Sequence, residues 1–116
     1  MNFKETVDAF KASCRAYQNE KENLLKLRAS KDSSPLYYQL YKYVQEDVDF
    51  VEKTLDMIDH KCGPNARLMV YMLFVEERTQ VDVAKTFGVT RRQVQYSLDK
   101  WLRQSLEYDE HGENDG

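Results

Sequence analysis

The stretch TQVDVAKTFGVTRRQVQ, residues 79–95, contains two helix-start signals that lie only eleven residues apart. Each begins with a threonine, Thr79 or Thr90, and Thr90 is followed three residues later by Gln93, the spacing of a capping box. Gly88 lies between the two threonines, where the left-handed backbone that ends a helix costs glycine little. A single long helix needs neither the second start nor the break. The stretch therefore predicts two short helices that meet at a three-residue turn, as in a helix-turn-helix.

The second short helix, residues 91–106, is predicted to bind DNA through its outer face. Val94, Leu98 and Leu102 have the spacing of an inner face, which leaves the basic and polar side chains outside. Arginine can donate two hydrogen bonds to guanine, and glutamine can pair with adenine. The candidates for base edges are Arg92, Gln95 and Tyr96. The candidates for contacts to the phosphate backbone are Arg78, Lys85, Thr90, Arg91, Lys100 and Arg103.

The net charge of −3 argues against nucleic acid at first, but the charge is unevenly distributed. Residues 1–60 carry 9 basic and 11 acidic residues, whereas residues 61–104 carry 8 basic and 4 acidic residues. Residues 105–116 carry 5 acidic and no basic residues. The part with the two short helices is thus the only net-positive part of the sequence, which favours a DNA-binding surface there.

The composition predicts one small, helical protein. Of the 116 residues, 41% are hydrophobic and 32% are charged, and there are only 4 glycines and 2 prolines. No apolar run approaches the ~18 residues that a membrane span needs, and the start MNFKETVDAF lacks the pattern of a signal peptide. We therefore expect a cytoplasmic protein with no membrane partner. Its two distant cysteines, Cys14 and Cys62, are expected to be reduced thiols.

Two long helices are predicted before the basic part, at residues 3–29 and 35–60, and the second starts with Ser34 as N-cap and Pro35 at the first position. The second helix carries an unbroken apolar row at alternating steps of four and three, as in a coiled coil. This seam consists of Tyr37, Tyr41, Val44, Val48, Val51, Leu55 and Ile58. A second row beside it, interrupted by Asp47 and Thr54, consists of Leu36, Leu40, Tyr43, Phe50 and Met57. We expect an antiparallel helical hairpin, a coiled-coil-like arm whose apolar surface contacts another chain or the C-terminal part.

Gly63 and Pro64 mark the boundary between the arm and the rest of the chain. Residues 64–77 are mostly apolar, with no polar face, which fits a buried strand or a buried helix. Pro64 at a helix-start position and the long side chains of Met69 and Met72 favour the helix. The predicted fold is therefore all-α. Its parts are a helical arm for oligomerisation or partner contact (1–60), a helix-turn-helix bundle for DNA binding (61–106) and an acidic, disordered tail (107–116).

The segment GVTRRQVQYSLDKWLRQSL resembles the recognition helix of region four of bacterial sigma factors, whose pattern is close to G-V-S-R-x-x-V followed by basic residues and leucines. The preceding GPNARLMVYMLFVEERTQVDVAKTFGV is similar to the lead-in of that family, and the resemblance covers about residues 63–106. The full layout also resembles small regulators of phages and mobile elements of Gram-positive bacteria, including the ArpU and RinA types, which join a helical arm to a sigma-like helix-turn-helix.

Two departures from the sigma pattern limit what the resemblance implies. Ser97 stands where sigma-like sequences usually have an aliphatic residue, and no stretch resembles the sigma segment that binds the −10 promoter element. The resemblance therefore implies a DNA-binding transcription regulator rather than a complete sigma factor. Its partners would be double-stranded DNA, a second copy of the chain bound through the arm, and RNA polymerase.

Other chemistry was weighed against this interpretation. The tyrosines of residues 37–43 would suit stacking of single-stranded nucleic acid, but two of them lie on the seam. The cysteines and histidines lack the spacing of a zinc site, and no nucleophile-elbow, P-loop or H-E-x-x-H pattern occurs. We therefore expect no metal, no cofactor and no enzymatic activity.

Two further functions remain open from the sequence, and the basic side chains also fit an ordinary solvated helix. The chain would serve as a protein–protein adaptor, for example to RNA polymerase, if the second short helix bound protein and the acidic tail masked it. A DNA-recognition subunit for phage packaging also combines a helix-turn-helix with helical oligomerisation segments, although the order found here, with the DNA module last, fits that class less well.

Overall fold

The computed structural model describes residues 2–30 and 34–107, and every regular element within these ranges is a helix. The predicted all-α class is therefore confirmed for the described residues. None of their helices is both long and apolar enough to cross a membrane. The elements are α1 (Phe3–Ala29), α2 (Pro35–Cys62), α3 (Pro64–Val70), a π-helical turn that continues α3 (Tyr71–Val75), α4 (Gln80–Phe87) and α5 (Arg91–Leu106). The predicted acidic tail lies outside the described residues except for Glu107.

α1 and α2 pack side by side and run antiparallel. Tyr17 Oη of α1 donates a hydrogen bond to Glu52 Oε2 of α2 at 2.6 Å. Further along α1, Arg28 Nη2 donates to Gln45 Oε1 at 2.8 Å. The start of α2 lies against the end of α1, where Tyr37 Oη donates to the carbonyl of Leu27, so the two helices run in opposite directions.

The predicted apolar seam of α2 lies mostly inside the core of the chain. Its last five members are between 0% and 7% exposed and pack with α1, α3 and α5. These residues are Val44, Val48, Val51, Leu55 and Ile58. Tyr37 and Tyr41 are half-buried against α1. These five residues are covered from within the chain, because α5 contributes Leu102 and Leu106 to the same core. Of the two expected neighbours, another chain or the C-terminal part, the buried members of the seam contact the C-terminal part.

The helix predicted over residues 64–77 ends earlier than expected. Its α-helical geometry gives way to a π-helical turn that ends at Val75, and the Glu76 amide donates to the carbonyl of Tyr71, five residues back, at 3.0 Å. Glu77 then has a φ of 54°, which is uncommon for a residue with a side chain. The helix therefore stops before residue 77, and the chain turns towards α4.

A second, smaller core holds α4 and α5 against α3 and its π-helical turn. Its buried members are Met69, Met72, Val83, Ala84 and Val94. Leu73 and Trp101 pack against both this cluster and the main core. These two side chains therefore connect the α4–α5 unit to the α1–α2 pair.

An acidic pair lies where α1 packs on α2. Asp47 Oδ1 of α2 accepts a hydrogen bond from Ser13 Oγ of α1 at 2.8 Å. The Oε2 atom of Glu20 is buried and has no hydrogen-bond partner among the described residues. Burial, followed by the neighbouring Asp47 carboxylate, raises the pKa of Glu20 to about 7. The folded chain therefore holds a proton on Glu20 that the unfolded chain releases at lower pH.

We expect the free energy of unfolding to fall as pH rises from 4.5, the ordinary glutamate pKa, to about 7. Above that range the folded chain has lost the Glu20 proton and holds a partly buried anion next to Asp47. The Glu20→Gln substitution keeps a neutral group of similar shape. Between about pH 5 and about pH 8 the parent chain should lose roughly 1 kcal/mol more of its free energy of unfolding than this variant. Urea unfolding of both proteins across this range measures the difference, and equal pH dependence would contradict the assignment.

Candidate nucleic-acid interface

The α4–α5 unit is shaped by two capped helix starts and one left-handed glycine. The hydroxyl of Thr79 accepts a hydrogen bond from a backbone amide in the first turn of α4. Gly88 ends α4 with φ 68° and ψ 34°, and its amide donates to the carbonyl of Lys85 at 3.2 Å. Thr90 and Gln93 form the predicted capping box, with hydrogen bonds of 3.1 Å and 2.8 Å. The two short helices and the three-residue turn predicted from the sequence are therefore present.

The inner face of α5 follows the predicted apolar row. Val94 is fully buried and Leu102 is 4% exposed, and Leu98 and Trp101 are half-buried against the core. At the C-terminal end of the helix, Ser105 is buried as well. This packing fixes the rotation of α5 about its own axis and so determines which side chains face solvent.

The outer face of α5 presents Arg92, Tyr96 and Lys100. These residues are spaced by four, so their side chains lie one above another on the exposed side of the helix. Tyr96 is 72% exposed. Within the described residues none of the three forms an ion pair or a side-chain hydrogen bond. Two cations and one phenol are therefore available to a ligand along this face.

Arg91 and Gln95 point to the side of α5 that faces α4, where both bind Gln80. Gln80 Oε1 accepts from Arg91 Nε at 3.2 Å and from Gln95 Nε2 at 2.8 Å. Gln95 was predicted to project freely for a base edge, but one amide hydrogen of its side chain is already used within the chain. Gln80 itself was not among the predicted site residues. It lies fifteen positions before Gln95, and no local spacing in the sequence links the two.

Arg78, a predicted backbone contact, is held by acidic neighbours. Its Nε lies 3.0 Å from Glu76 Oε1, and its Nη1 lies 3.8 Å from Asp82 Oδ2. These ion pairs are partly exposed, so they are weak, but they reduce the positive potential that the guanidinium presents to a phosphate.

Arg103, another predicted backbone contact, is similarly engaged. Its Nε lies 3.1 Å from Asp99 Oδ2, its Nη1 lies 3.4 Å from Glu107 Oε2, and its guanidinium carbon lies 4.5 Å above the ring of Phe3. The contact with Phe3 ties the last turns of α5 to the start of α1. Arg103 therefore has a structural role in addition to any contact with DNA.

The remaining residues that were predicted to contact the phosphate backbone differ in whether their polar groups already have a partner within the chain. Lys85 is exposed and forms no ion pair among the described residues. The backbone amide of Thr90 donates to Gln93, so it is not available to a phosphate, although the Thr90 side chain is exposed at the start of α5. Of the predicted contacts, the cations that form no ion pair with a described residue are thus Arg92, Lys100 and Lys85, and the side chain of Arg91 is held by a neutral amide.

Both cysteines are free thiols. Burial, and then the charge of Asp47, raises the pKa of Cys14 to about 12, so this thiol stays protonated and unreactive. Within residues 2–30 and 34–107, no group of three or more His, Cys, Asp or Glu side chains is placed to hold a metal ion.

Comparison of the chain with protein-family models, curated proteins and solved structures gives no match.

Gly88 provides a test of how the α4–α5 turn is held. No atom lies within 4 Å of a Cβ built at Gly88, so the cost of a side chain there comes from the positive φ alone. We expect Gly88→Ala to lower the free energy of unfolding by about 1 kcal/mol. Gly88→Asn should lower it less, because asparagine tolerates the left-handed region better. Urea unfolding measures both, and an unchanged stability of the alanine variant would contradict the left-handed turn.

Proposed function

We propose that this chain is a sequence-specific, double-stranded-DNA-binding transcription regulator in which α4 and α5 form a helix-turn-helix. The observation that carries the proposal is the uncommitted outer face of α5, with Arg92, Tyr96 and Lys100 in line. A single helix of this kind fits the major groove, where arginine can donate two hydrogen bonds to a guanine. The adjoining turn is short and rigid, which suits a helix that has to enter a groove at one defined angle.

The proposed roles differ along the helix. Arg92 and Tyr96 contact base edges, and Lys100, Lys85 and Arg91 contact phosphates on either side of the groove. Gln80 and Gln95 form a polar pair at the α4 side of α5, joined at 2.8 Å. Gln95 keeps its carbonyl oxygen and a second amide hydrogen for a base, and Gln80 restricts the orientation from which Gln95 offers them. Arg78 and Arg103 contribute less, because nearby carboxylates neutralise them.

The sigma-like character of residues 63–106 supports the regulatory part of the proposal. A chain with this recognition element would regulate transcription at its own DNA site, and the layout favours a phage or mobile element as the source. Such a regulator would act in the cytoplasm, without a cofactor or a catalytic step.

We expect the chain to bind a random-sequence duplex with an affinity that falls steeply with salt, because phosphate contacts release counterions. The Arg92→Ala/Lys100→Ala variant should bind at least about tenfold more weakly at low salt, and the slope of log affinity against log salt should fall by about one, because only Lys100 of the two is assigned to a phosphate. Fluorescence anisotropy of a labelled duplex at several salt concentrations measures both quantities.

Lys26→Ala serves as the matched control for this experiment. The Lys26 side chain is 72% exposed and lies near the end of α1, where Glu22, at 3.8 Å, is its one ion-pair partner among the residues that the structure describes. Its removal lowers the net charge without touching α5, so binding should stay within about twofold of the parent chain. Equal weakening by Lys26→Ala and by the α5 variant would show a non-specific charge effect and would refute the assigned face.

A second function is favoured by the ion pairs around Arg78 and Arg103. These pairs reduce the positive field, and Glu107, the first residue of the acidic tail, supplies one of them. This arrangement suits an adaptor whose α5 binds another protein, such as RNA polymerase. A chain truncated after Glu107 distinguishes the two functions. If neither the full chain nor the truncated chain binds any duplex at low salt, the adaptor function becomes the better account.

A further inference from the structure

α2 has a second apolar row that the core does not cover. Leu36 and Tyr43 are 76% and 69% exposed, and Leu40 and Phe50 are 51% and 39% exposed. Steps of four, three and seven residues place these side chains on one face of the helix. α1, α3 and α5 pack against the neighbouring seam, so the second row remains open to solvent along four turns.

Asp47 interrupts this row in the sequence but is directed towards α1. Its carboxylate accepts a hydrogen bond from Ser13 Oγ at 2.8 Å, and the side chain is half-buried. Phe50 makes an edge-to-face contact with Phe10 of α1, with ring centroids 6.2 Å apart. The aspartate is therefore satisfied within the chain, and the apolar side chains around it form one face.

The size of this face distinguishes it from ordinary exposed apolar residues. Four large side chains within four turns form a patch on the order of several hundred Å², and the largest apolar patch of a monomer is often functional. Tyr38 on α2 is 66% exposed but lies outside the row. A single exposed side chain of that kind is normal and needs no partner.

A second exposed cation, Lys53, lies beside the end of the row, but the middle of the row is bordered by one cation and one anion, Lys42 and Glu46, one helical turn apart. Both side chains are exposed, and neither forms an ion pair within the described residues. When two copies of such a surface meet about a two-fold axis, the cation of each copy lies near the anion of the other. The two surfaces are then complementary in charge. The border therefore matches a second copy of the same surface.

We propose that this face binds a second copy of the chain, with α2 packed antiparallel on α2 about a two-fold axis beside Tyr43. Leu36 then lies opposite Phe50 of the second copy, and the two Tyr43 rings meet near the axis. Lys42 comes within reach of Glu46 of the second copy, and every contact occurs twice because the interface is two-fold. The proposal does not depend on DNA binding, since α5 takes no part in the contact.

The patch is small compared with stable interfaces, which bury about 800 Å² per partner. We therefore expect a reversible dimer whose dissociation constant lies in the micromolar range. The aromatic and aliphatic side chains provide most of the affinity, and the border charges fix the antiparallel register.

Sedimentation equilibrium from about 1 µM to several hundred µM tests the dimer. The parent chain should shift from monomer to dimer across this range. The Leu40→Lys/Tyr43→Lys variant should raise the dissociation constant at least about a hundredfold, because it places charges at the centre of the apolar face. Tyr38→Lys is the matched control, since it alters an equally exposed residue of the same helix outside the row, and it should leave the constant unchanged.

The border charges test the antiparallel register. Lys42→Glu and Glu46→Lys should each weaken the dimer by about three- to tenfold, and the double variant should restore the parent affinity. Circular dichroism checks that each variant keeps its helix content. A parent chain that stays monomeric throughout, a dimer unaffected by Leu40→Lys/Tyr43→Lys, or a double variant that fails to recover would overturn the proposal. A monomeric variant that still binds DNA would leave the proposed function intact.

Discussion

The burial of the α2 seam is the constraint on which the rest of the structure depends. Val51, Leu55 and Ile58 are at most 2% exposed and share one core with residues of α1, α3 and α5. One row of side chains thereby determines where three other helices lie. Burying Val, Leu and Ile side chains stabilises the fold by about 1.5–3 kcal/mol each in transfer terms, which makes this row the strongest organising element of a small protein.

The rotation of α5 follows from this packing and decides which of its residues can meet a ligand. Val94 and Leu102 are held inward by the two cores, so Arg92 and Lys100 are turned to solvent on the opposite side. Arg91 and Gln95 lie between these faces and find a partner in Gln80 on α4. The same packing therefore separates a free basic face from a polar edge that the chain itself restrains.

The features that local spacing controls could be predicted from the sequence, and the features that depend on how helices cross could not. The capping box of Thr90 and Gln93 and the glycine turn are local, and the structure has both. The heptad pattern predicted that the α2 seam is buried or paired, but periodicity does not reveal whether α5 or another chain covers it. The link from Gln80 to Gln95 depends on the crossing of α4 and α5. By contrast, the pairing of Arg103 with Asp99 has ordinary i, i+4 spacing and was readable from the sequence.

The outer face of α5 and the apolar row of α2 are related through the affinity for DNA, because few of the predicted cations around α5 are free of ion pairs. If the proposed DNA binding holds, counterion release by one chain would rest on few phosphate contacts, because carboxylates engage Arg78 and Arg103, and the affinity of a monomer would be limited. Two chains joined through α2 would present two such faces, and binding of the first raises the effective concentration of the second. Linkage then works in both directions: a duplex with two suitably spaced sites would also favour the dimer, by the same factor. The apolar row on α2 would thus act on DNA affinity without contacting DNA.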